Sequence, residues 1–420
     1  MNRVGITGIG FACAIGTGGE QVLASLRDLR HGFTLRQLAG EGVGPELVCG
    51  VVDGFDTSSC DCRDWTFPGS DRFESSFVRG LAPHGPFALV ALEEALDQAG
   101  LERSVLGDGR TGLFCASPGS PRMLRHHLNE MAASDWQRTS PMSVVSSVAG
   151  TLNFNLAAYY GITGANCGFV SACTSSSHAL AYAFDEIALG RQDRMLVVAA
   201  EDGTAESLLP FLGMRALSSN RDPDSACRPF DSQRDGFVGS GGGAALVLES
   251  LGSACRRSVA PLAEMLSWGQ ASDGHSVAAP HPEGKGIGEA MGHCLEAAQI
   301  EPQSIDWINA HATSTPAGDR AEAIALRSLG YADGSDTLVS STKGLTGHGL
   351  SYAGALEAAI SVLCIDGEMV PGNAALTQPD PICDGLQLPT RTIQRDLQLV
   401  LNNTSGFGGS NVCHLFAKPA

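Results

Sequence analysis

A strand–helix–strand unit in the first half of the chain constrains its fold more than any other stretch. Residues 166–172 are a β-leaning run that ends at Cys173. Small hydroxyl residues follow, Thr174-Ser175-Ser176-Ser177, and then a helical pattern, Ala179-Leu180-Ala181-Tyr182-Ala183-Phe184, closing at Gly190. Glycine just past the last periodic residue is a helix stop. Met195-Leu196-Val197-Val198-Ala199-Ala200 reads as the next strand. Strands joined by one helix run parallel with a right-handed crossover, so the unit predicts an α/β sheet. Cys173 then lies at the carboxyl end of a strand, where open α/β sheets place their sites. It also lies at the start of a helix over about 174–189, where unpaired N–H groups and the dipole lower a thiol pKa. A buried structural cysteine is the competing explanation for this stretch alone.

The second half echoes the first. Ala95-Leu96-Asp97-Gln98-Ala99-Gly100-Leu101-Glu102 resembles Cys294-Leu295-Glu296-Ala297-Ala298-Gln299-Ile300-Glu301. Each ends a helical pattern and precedes a strand, 111–115 and 305–310. A strand over 337–341 then leads to a helix over 348–365, as 166–172 leads to its own helix. Two echoes in the same order predict an internal duplication, with halves 1–253 and 254–420.

Elsewhere the signals are plainer. Residues 3–9 read as a strand and 20–29 as a short amphipathic helix. Gly5-Ile6-Thr7-Gly8-Ile9-Gly10 has GxxGxG spacing, not the GxGxxG of a dinucleotide site, and reads as turn chemistry. Residues 32–82 look irregular. Cys60-Asp61-Cys62 lacks the spacing and the second pair of a zinc knuckle and reads as a surface loop. Pro86 opens a helix, residues 121–132 read as a helix with Arg122, Arg125, His126 and His127, and 143–159 is helix-compatible.

Charge excludes some functions. The formal net charge of −18 disfavours nucleic acid and anionic membranes as general partners. No run of about 18 apolar residues suggests a membrane span. The start of the chain reads as strand and turn, not as a signal peptide. Thirteen scattered cysteines, an odd number, suit free thiols in a reducing, cytoplasmic compartment.

Two histidines complete a chemical pattern. His311 ends a strand and is followed by Ala312-Thr313-Ser314-Thr315-Pro316-Ala317-Gly318-Asp319. His348 closes Ser341-Thr342-Lys343-Gly344-Leu345-Thr346-Gly347 just before another helical pattern. A lone histidine is more often a core or surface residue. Two at strand-to-helix turns, matching the cysteine turn, point to function. A cysteine accepts an acyl group, and two imidazole N–H groups stabilise an enolate oxygen. The set suits carbon–carbon bond formation on a thioester.

On these motifs the chain resembles the β-ketoacyl-acyl carrier protein synthases, the elongating Cys-His-His ketosynthases of the thiolase superfamily. Ser171-Ala172-Cys173-Thr174-Ser175 with His178, the His311 and His348 motifs, Arg228-Pro229-Phe230-Asp231 with Arg234-Asp235-Gly236-Phe237, and Ser405-Gly406-Phe407-Gly408-Gly409-Ser410-Asn411 carry the resemblance. It implies a thiolase fold, five-layered αβαβα from two similar halves. It implies Cys173 as acyl-accepting nucleophile, and His311 and His348 as the groups that bind and decarboxylate a malonyl thioester. Lys343 organises the site with Glu322 and Glu357, with Asp319 in support. Backbone N–H groups of Cys173 and Phe407 form the oxyanion hole. Phe237, Ser405, Gly406, Phe407 and Gly408 shape the gate, and Thr313 and Thr315 line the pantetheine tunnel. No resident cofactor or metal is implied, because 4′-phosphopantetheine arrives on the acyl carrier protein. The family is dimeric, here either as a homodimer or with a chain-length-factor-like subunit.

Two departures bear on specificity. Ala312 stands where the family has glycine, a cost if that position needs positive φ. Ser405 stands where the family has phenylalanine, which alters the wall beside the gate and suggests a specialised polyene- or polyketide-type pathway. The rivals are a Cys–His thioester hydrolase and a non-condensing decarboxylase or chain-length-factor-like protein. An acidic carrier protein docking on an acidic chain requires a local basic patch, for which Arg122, Arg125, Arg215 and Arg221 are the candidates.

Overall fold

The computed structural model describes residues 1–38 and 44–419. Ten strands build the core: β1 (Val4–Cys13), β2 (Thr111–Ala116), β3 (Asn166–Phe169), β4 (Arg194–Glu201), β5 (Gly242–Ser250), β6 (Ala263–Ser272), β7 (Trp307–Asn309), β8 (Leu338–Ser340), β9 (Leu399–Gly406) and β10 (Ser410–Ala417). Their order is β3-β2-β4-β5-β1 in the first half and β8-β7-β9-β10-β6 in the second. The two orders are the same, and so are the senses of pairing. β2–β3 and β7–β8 are parallel, as are β2–β4 and β7–β9. β4–β5, β9–β10, β5–β1 and β10–β6 are antiparallel. The halves join edge to edge through three residue pairs, Val4 with Met265, Gly5 with Glu264 and Ile6 with Ala263. This duplication is the one that the two sequence echoes predict.

Burial divides the molecule into layers. Five helices matter: α1 (Gly85–Gln98), α2 (Ser175–Ala188), α3 (Lys285–Ala298), α4 (Pro316–Ser328) and α5 (Ala353–Asp366). On β4, Met195, Val197 and Ala199 pack towards α2 and α5, while Leu196, Val198 and Ala200 pack towards α1. In the second half, Val400 and Phe416 face the α2 and α5 layer, and Leu401, Cys413 and Leu415 face α3 and α4. The result is helix, sheet, helices, sheet, helices: the αβαβα fold. Strands covered on both faces read as continuous apolar runs, which is why β4 shows no alternation. Helix α5 is buried all round from Ala353 to Ile365, as a helix between two sheets must be.

Several boundaries differ from the sequence reading, each for a backbone reason. Strand β3 stops at Phe169 rather than residue 172, and Ala172 has φ 47°. Helix α5 starts at Ala353 rather than 348, after a short helical turn Leu350–Tyr352, because Gly347 (φ 72°) and Leu350 (φ 50°) are left-handed. The 143–159 stretch is helical only over Leu152–Tyr160, beyond the left-handed Gly150 (φ 75°). The 32–82 region is less irregular than expected: Phe33–Gln37 and Glu46–Gly50 pair as antiparallel strands. Residues 39–43 of that region lie outside the described residues. The 13 cysteines are free. Among the described residues no helix is long and apolar enough to cross a membrane.

Candidate active site

The nucleophile turn is built by hydroxyl capping. Ala172 turns left-handed, and its carbonyl accepts the Ser175 hydroxyl at 2.6 Å. The same hydroxyl accepts the Ser171 N–H at 2.8 Å. Thr174 donates to the Ser171 carbonyl (2.8 Å) and contacts the Ser410 hydroxyl (2.9 Å), which also meets His178 Nε2 at 3.0 Å. The small hydroxyl residues that follow Cys173 thus close the turn and tie it to the start of β10.

This turn aims Cys173 at both histidines. Its Sγ lies 3.1 Å from His348 Nε2. The His348 ring meets the His311 ring edge-on, with centroids 5.3 Å apart. Phe237 meets His348 at the same distance, also edge-on. The Phe407 backbone N–H reaches the Cys173 thiol. Gly406 allows that approach, because a Cβ there would stand 3.3 Å from the Cys173 and Thr174 nitrogens.

The charge state of the site differs from the first expectation. Cys173 is buried, and desolvation pushes its thiol up to about 12, although the Lys343 cation and the Phe407 N–H pull it down. The helix start does not prevail, because desolvation disfavours the thiolate by more. Burial and the Lys343 charge also hold His311 and His348 well below the usual imidazole range. Thiol and both rings are neutral near pH 7. Neutral imidazoles are what N–H donation or proton acceptance requires.

Two carboxylates divide the supporting work. Lys343 forms a fully buried ion pair with Glu357, and burial raises Glu357 to about 7 despite that cation. Glu322 feels the Lys343 charge, which pulls its buried carboxyl down, and it also holds the His311 turn. It accepts the backbone N–H groups of His311 (2.9 Å) and Ala312 (2.7 Å) and the Asn403 side-chain N–H (2.7 Å). Ala312 lies outside the left-handed region, so its methyl carries no backbone cost; Ser314 (φ 69°) makes the turn. Asp319 sits in the first turn of α4, accepts the Phe230 N–H at 2.9 Å and does not line the cavity.

A cavity of about 370 Å³ opens onto Cys173, His311 and His348. Phe237, Thr313, Thr315, Ser405, Gly406 and Phe407 line it as expected. Thr315 also caps α4, accepting the Gly318 N–H. The sequence reading missed Phe211, Met214 and Leu350 on its wall. Phe211 packs between Phe237 (5.3 Å) and Phe407 (5.8 Å). Its only sequence signal is the apolar run Leu208-Leu209-Pro210-Phe211-Leu212. Three of the four arginines expected in a docking patch already have partners. Arg122 bonds the Thr57 and Ser59 carbonyls, Arg125 pairs with Glu206 and Arg221 pairs with Glu46. Arg215 alone of the four lines the cavity.

Comparison with known proteins agrees with this geometry. Residues 1–254 match the N-terminal domain and 262–377 the C-terminal domain of the β-ketoacyl synthase family. The 3-oxoacyl-acyl-carrier-protein synthase 1 of Haemophilus influenzae is 33% identical over 430 residues, covering 100% of this chain and 99% of that protein. The Escherichia coli enzyme of the same name is 33% identical over 424 residues, with the same coverage. A β-ketoacyl synthase structure from Burkholderia phymatum superposes with TM-score 0.89 at 29% identity, and the ishigamide ketosynthase/chain length factor with 0.87 at 28%, each over the full length of both chains. The chain belongs to the β-ketoacyl synthase family, as a condensing acyltransferase on the thiolase-like fold.

Proposed function

We propose that this protein joins an acyl group held on Cys173 to a malonyl group delivered on an acyl carrier protein. The 3.1 Å approach of Cys173 Sγ to His348 Nε2, with His311 edge-on behind it, carries the reading. In the first half-reaction Sγ attacks the acyl thioester, His348 takes the thiol proton, and the departing pantetheine thiolate receives it. In the second, malonyl loses CO2, and its enolate oxygen is held by the N–H group of His311 and by His348 once its ring proton stands on Nε2. The carbanion attacks the Cys173 thioester, whose oxyanion lies against the Cys173 and Phe407 N–H groups, and the thiolate leaves. No resident cofactor or metal takes part; 4′-phosphopantetheine comes with the substrate through the Thr313 and Thr315 side of the cavity. Cys–His hydrolases orient their imidazole with a third group. His348 Nδ1 has no hydrogen-bond partner among the described residues, which speaks for condensation over hydrolysis.

The test supplies acyl- and malonyl-carrier protein and follows product by mass spectrometry. A 3-ketoacyl product is expected, and free acid alone overturns the reading. His311→Ala leaves Cys173 acylation intact and lowers condensation by about 10²–10³, the usual cost of one oxyanion donor. His348→Ala slows both steps. Unchanged condensation in both variants refutes the assigned roles.

The same reading extends to assembly. Strand β3 ends the sheet and leaves one backbone edge unpaired. Its exit residue Val170 is exposed, as are Val144, Val148 and Phe154 on the preceding segment. An exposed apolar edge strand is a template for pairing. We propose that a second copy, or a chain-length-factor-like subunit in its place, docks on this edge. Light scattering is expected to give a dimer for the parent and a monomer for Val170→Asp; a parent monomeric at micromolar concentration refutes self-pairing.

A further inference from the structure

We propose that His126, His127 and Glu130 form a binding site for a divalent transition-metal ion of the zinc class. The three stand on the helix Pro121–Ala133, whose start is fixed by the Ser120 cap and Pro121. One donor atom from each lies within 4.8 Å of the others. His126 Nε2 is 3.4 Å and His127 Nδ1 is 3.6 Å from the Glu130 carboxylate. Tetrahedral zinc with bonds of about 2.1 Å places its ligand atoms about 3.4 Å apart. Both histidine–glutamate separations are close to that spacing, and the third donor pair lies within 4.8 Å.

Hydrogen bonding makes His127 a ligand in waiting. The Ser146 hydroxyl donates to the Met142 carbonyl at 3.0 Å. Its lone pair is then free to accept from His127 Nε2, 3.1 Å away. That leaves the proton on Nε2 and a bare lone pair on Nδ1. His127 is 7% exposed, and its Nδ1 has no hydrogen-bond partner. A bare lone pair facing a carboxylate is repulsive unless a proton or a metal ion sits between them. The arrangement of Ser146, histidine and open ring nitrogen is how proteins orient metal-binding imidazoles.

The surroundings select the metal. The cluster opens into a cavity of about 420 Å³, also lined by Cys60 and Cys62 and sharing no residue with the Cys173 cavity. Two imidazole nitrogens with one carboxylate favour zinc, cobalt or nickel over magnesium or calcium, and must bind against the Arg63 and Arg79 guanidinium groups that also line the cavity. The same cavity is lined by Ser140 and Ser146.

Cys173 with its two histidines is itself able to take zinc, so the test uses tag-free Cys173→Ala protein stripped with a chelator. Zn²⁺ titration by calorimetry is expected to give one saturable equivalent, and Co²⁺ the visible absorption of a four-coordinate ion. Mg²⁺ gives neither. His127→Gln is expected to weaken Zn²⁺ binding at least about 100-fold, and Glu130→Gln, at an exposed position, at least about tenfold with an unchanged circular dichroism melt. Absence of saturable Zn²⁺ binding overturns the proposal and leaves a histidine–carboxylate ion pair. Equal affinity in both variants and their parent overturns it as well.

Discussion

Cys173→Ala protein is expected to take up no acyl group at all. Incubated with acyl-carrier protein, the parent gains one acyl mass and the variant gains none. Condensation falls with it to background. The argument is local. Of the 13 cysteines, Cys173 has the contact between thiol and imidazole and the Phe407 backbone N–H described above. Cys167 and Cys255 are exposed and react with general thiol reagents, so a carrier-bound acyl group, not an alkylating agent, is the discriminating probe. The substitution removes one sulfur beside an open cavity, so the melting temperature is expected to change little. An acylated variant places the nucleophile elsewhere. The pH dependence follows the charge state. The thiol is raised to about 12 by burial, so thiolate is scarce across the neutral range and acylation depends on transfer to neutral His348. Acylation is expected to fall as pH drops far enough to protonate that ring, and to show no step where an ordinary thiol titrates, near pH 8.5.

Much of this was legible because catalysis here uses rare residues at turns. Cys173 and His311 lie in the turns that follow β3 and β7, His348 follows the short helix Lys343–Thr346 after β8, and the hydroxyls after Cys173 close its turn. The echo between residues 95–102 and 294–301 records the ends of α1 and α3, equivalent helices on opposite outer faces. What stayed hidden depended on contacts remote in sequence. Phe211 gains its place only when Phe237 and Phe407 fold against it. Glu322 and Glu357 both flank Lys343 in sequence, and only the fold shows the β7 turn engaging Glu322 through two backbone N–H groups while Glu357 pairs with the lysine. The thiol shift was misjudged because a helix start is visible in a sequence, whereas the apolar walls that bury Cys173 come from Leu208, Leu217, Phe237 and Leu350. The arginines look alike in sequence, and only the fold shows that three are already partnered.

The Lys343–Glu357 pair gives the largest expected effect on stability, and the two partners are not equivalent. Both are 1% exposed. Breaking a buried pair from one side leaves a charge without its counter-ion and costs about 3–5 kcal/mol. The remaining group escapes by changing protonation, and the ease of that step differs. Glu357 already titrates at about 7 with the cation present. Removal of the cation raises it further, so in Lys343→Met the carboxyl is neutral at pH 7 at little cost. In Glu357→Gln the ammonium remains buried without its counter-ion, so this side of the pair bears the full cost of the break. Glu357→Gln is therefore expected to lower the midpoint of denaturant unfolding much more than Lys343→Met. The sign of the pH effect separates the pair further. A carboxyl raised on folding stabilises below its unfolded value and loses that contribution as pH rises through about 7. The parent thus loses the Glu357 contribution between about pH 4.5 and 7, and Glu357→Gln does not. Activity supplies the second readout. The Lys343 charge helps to hold His311 and His348 neutral, so its loss raises both and moves the acidic limb of the condensation rate towards neutral pH. Equal unfolding midpoints for the two variants, with an unmoved acidic limb, refute an electrostatic role for this pair.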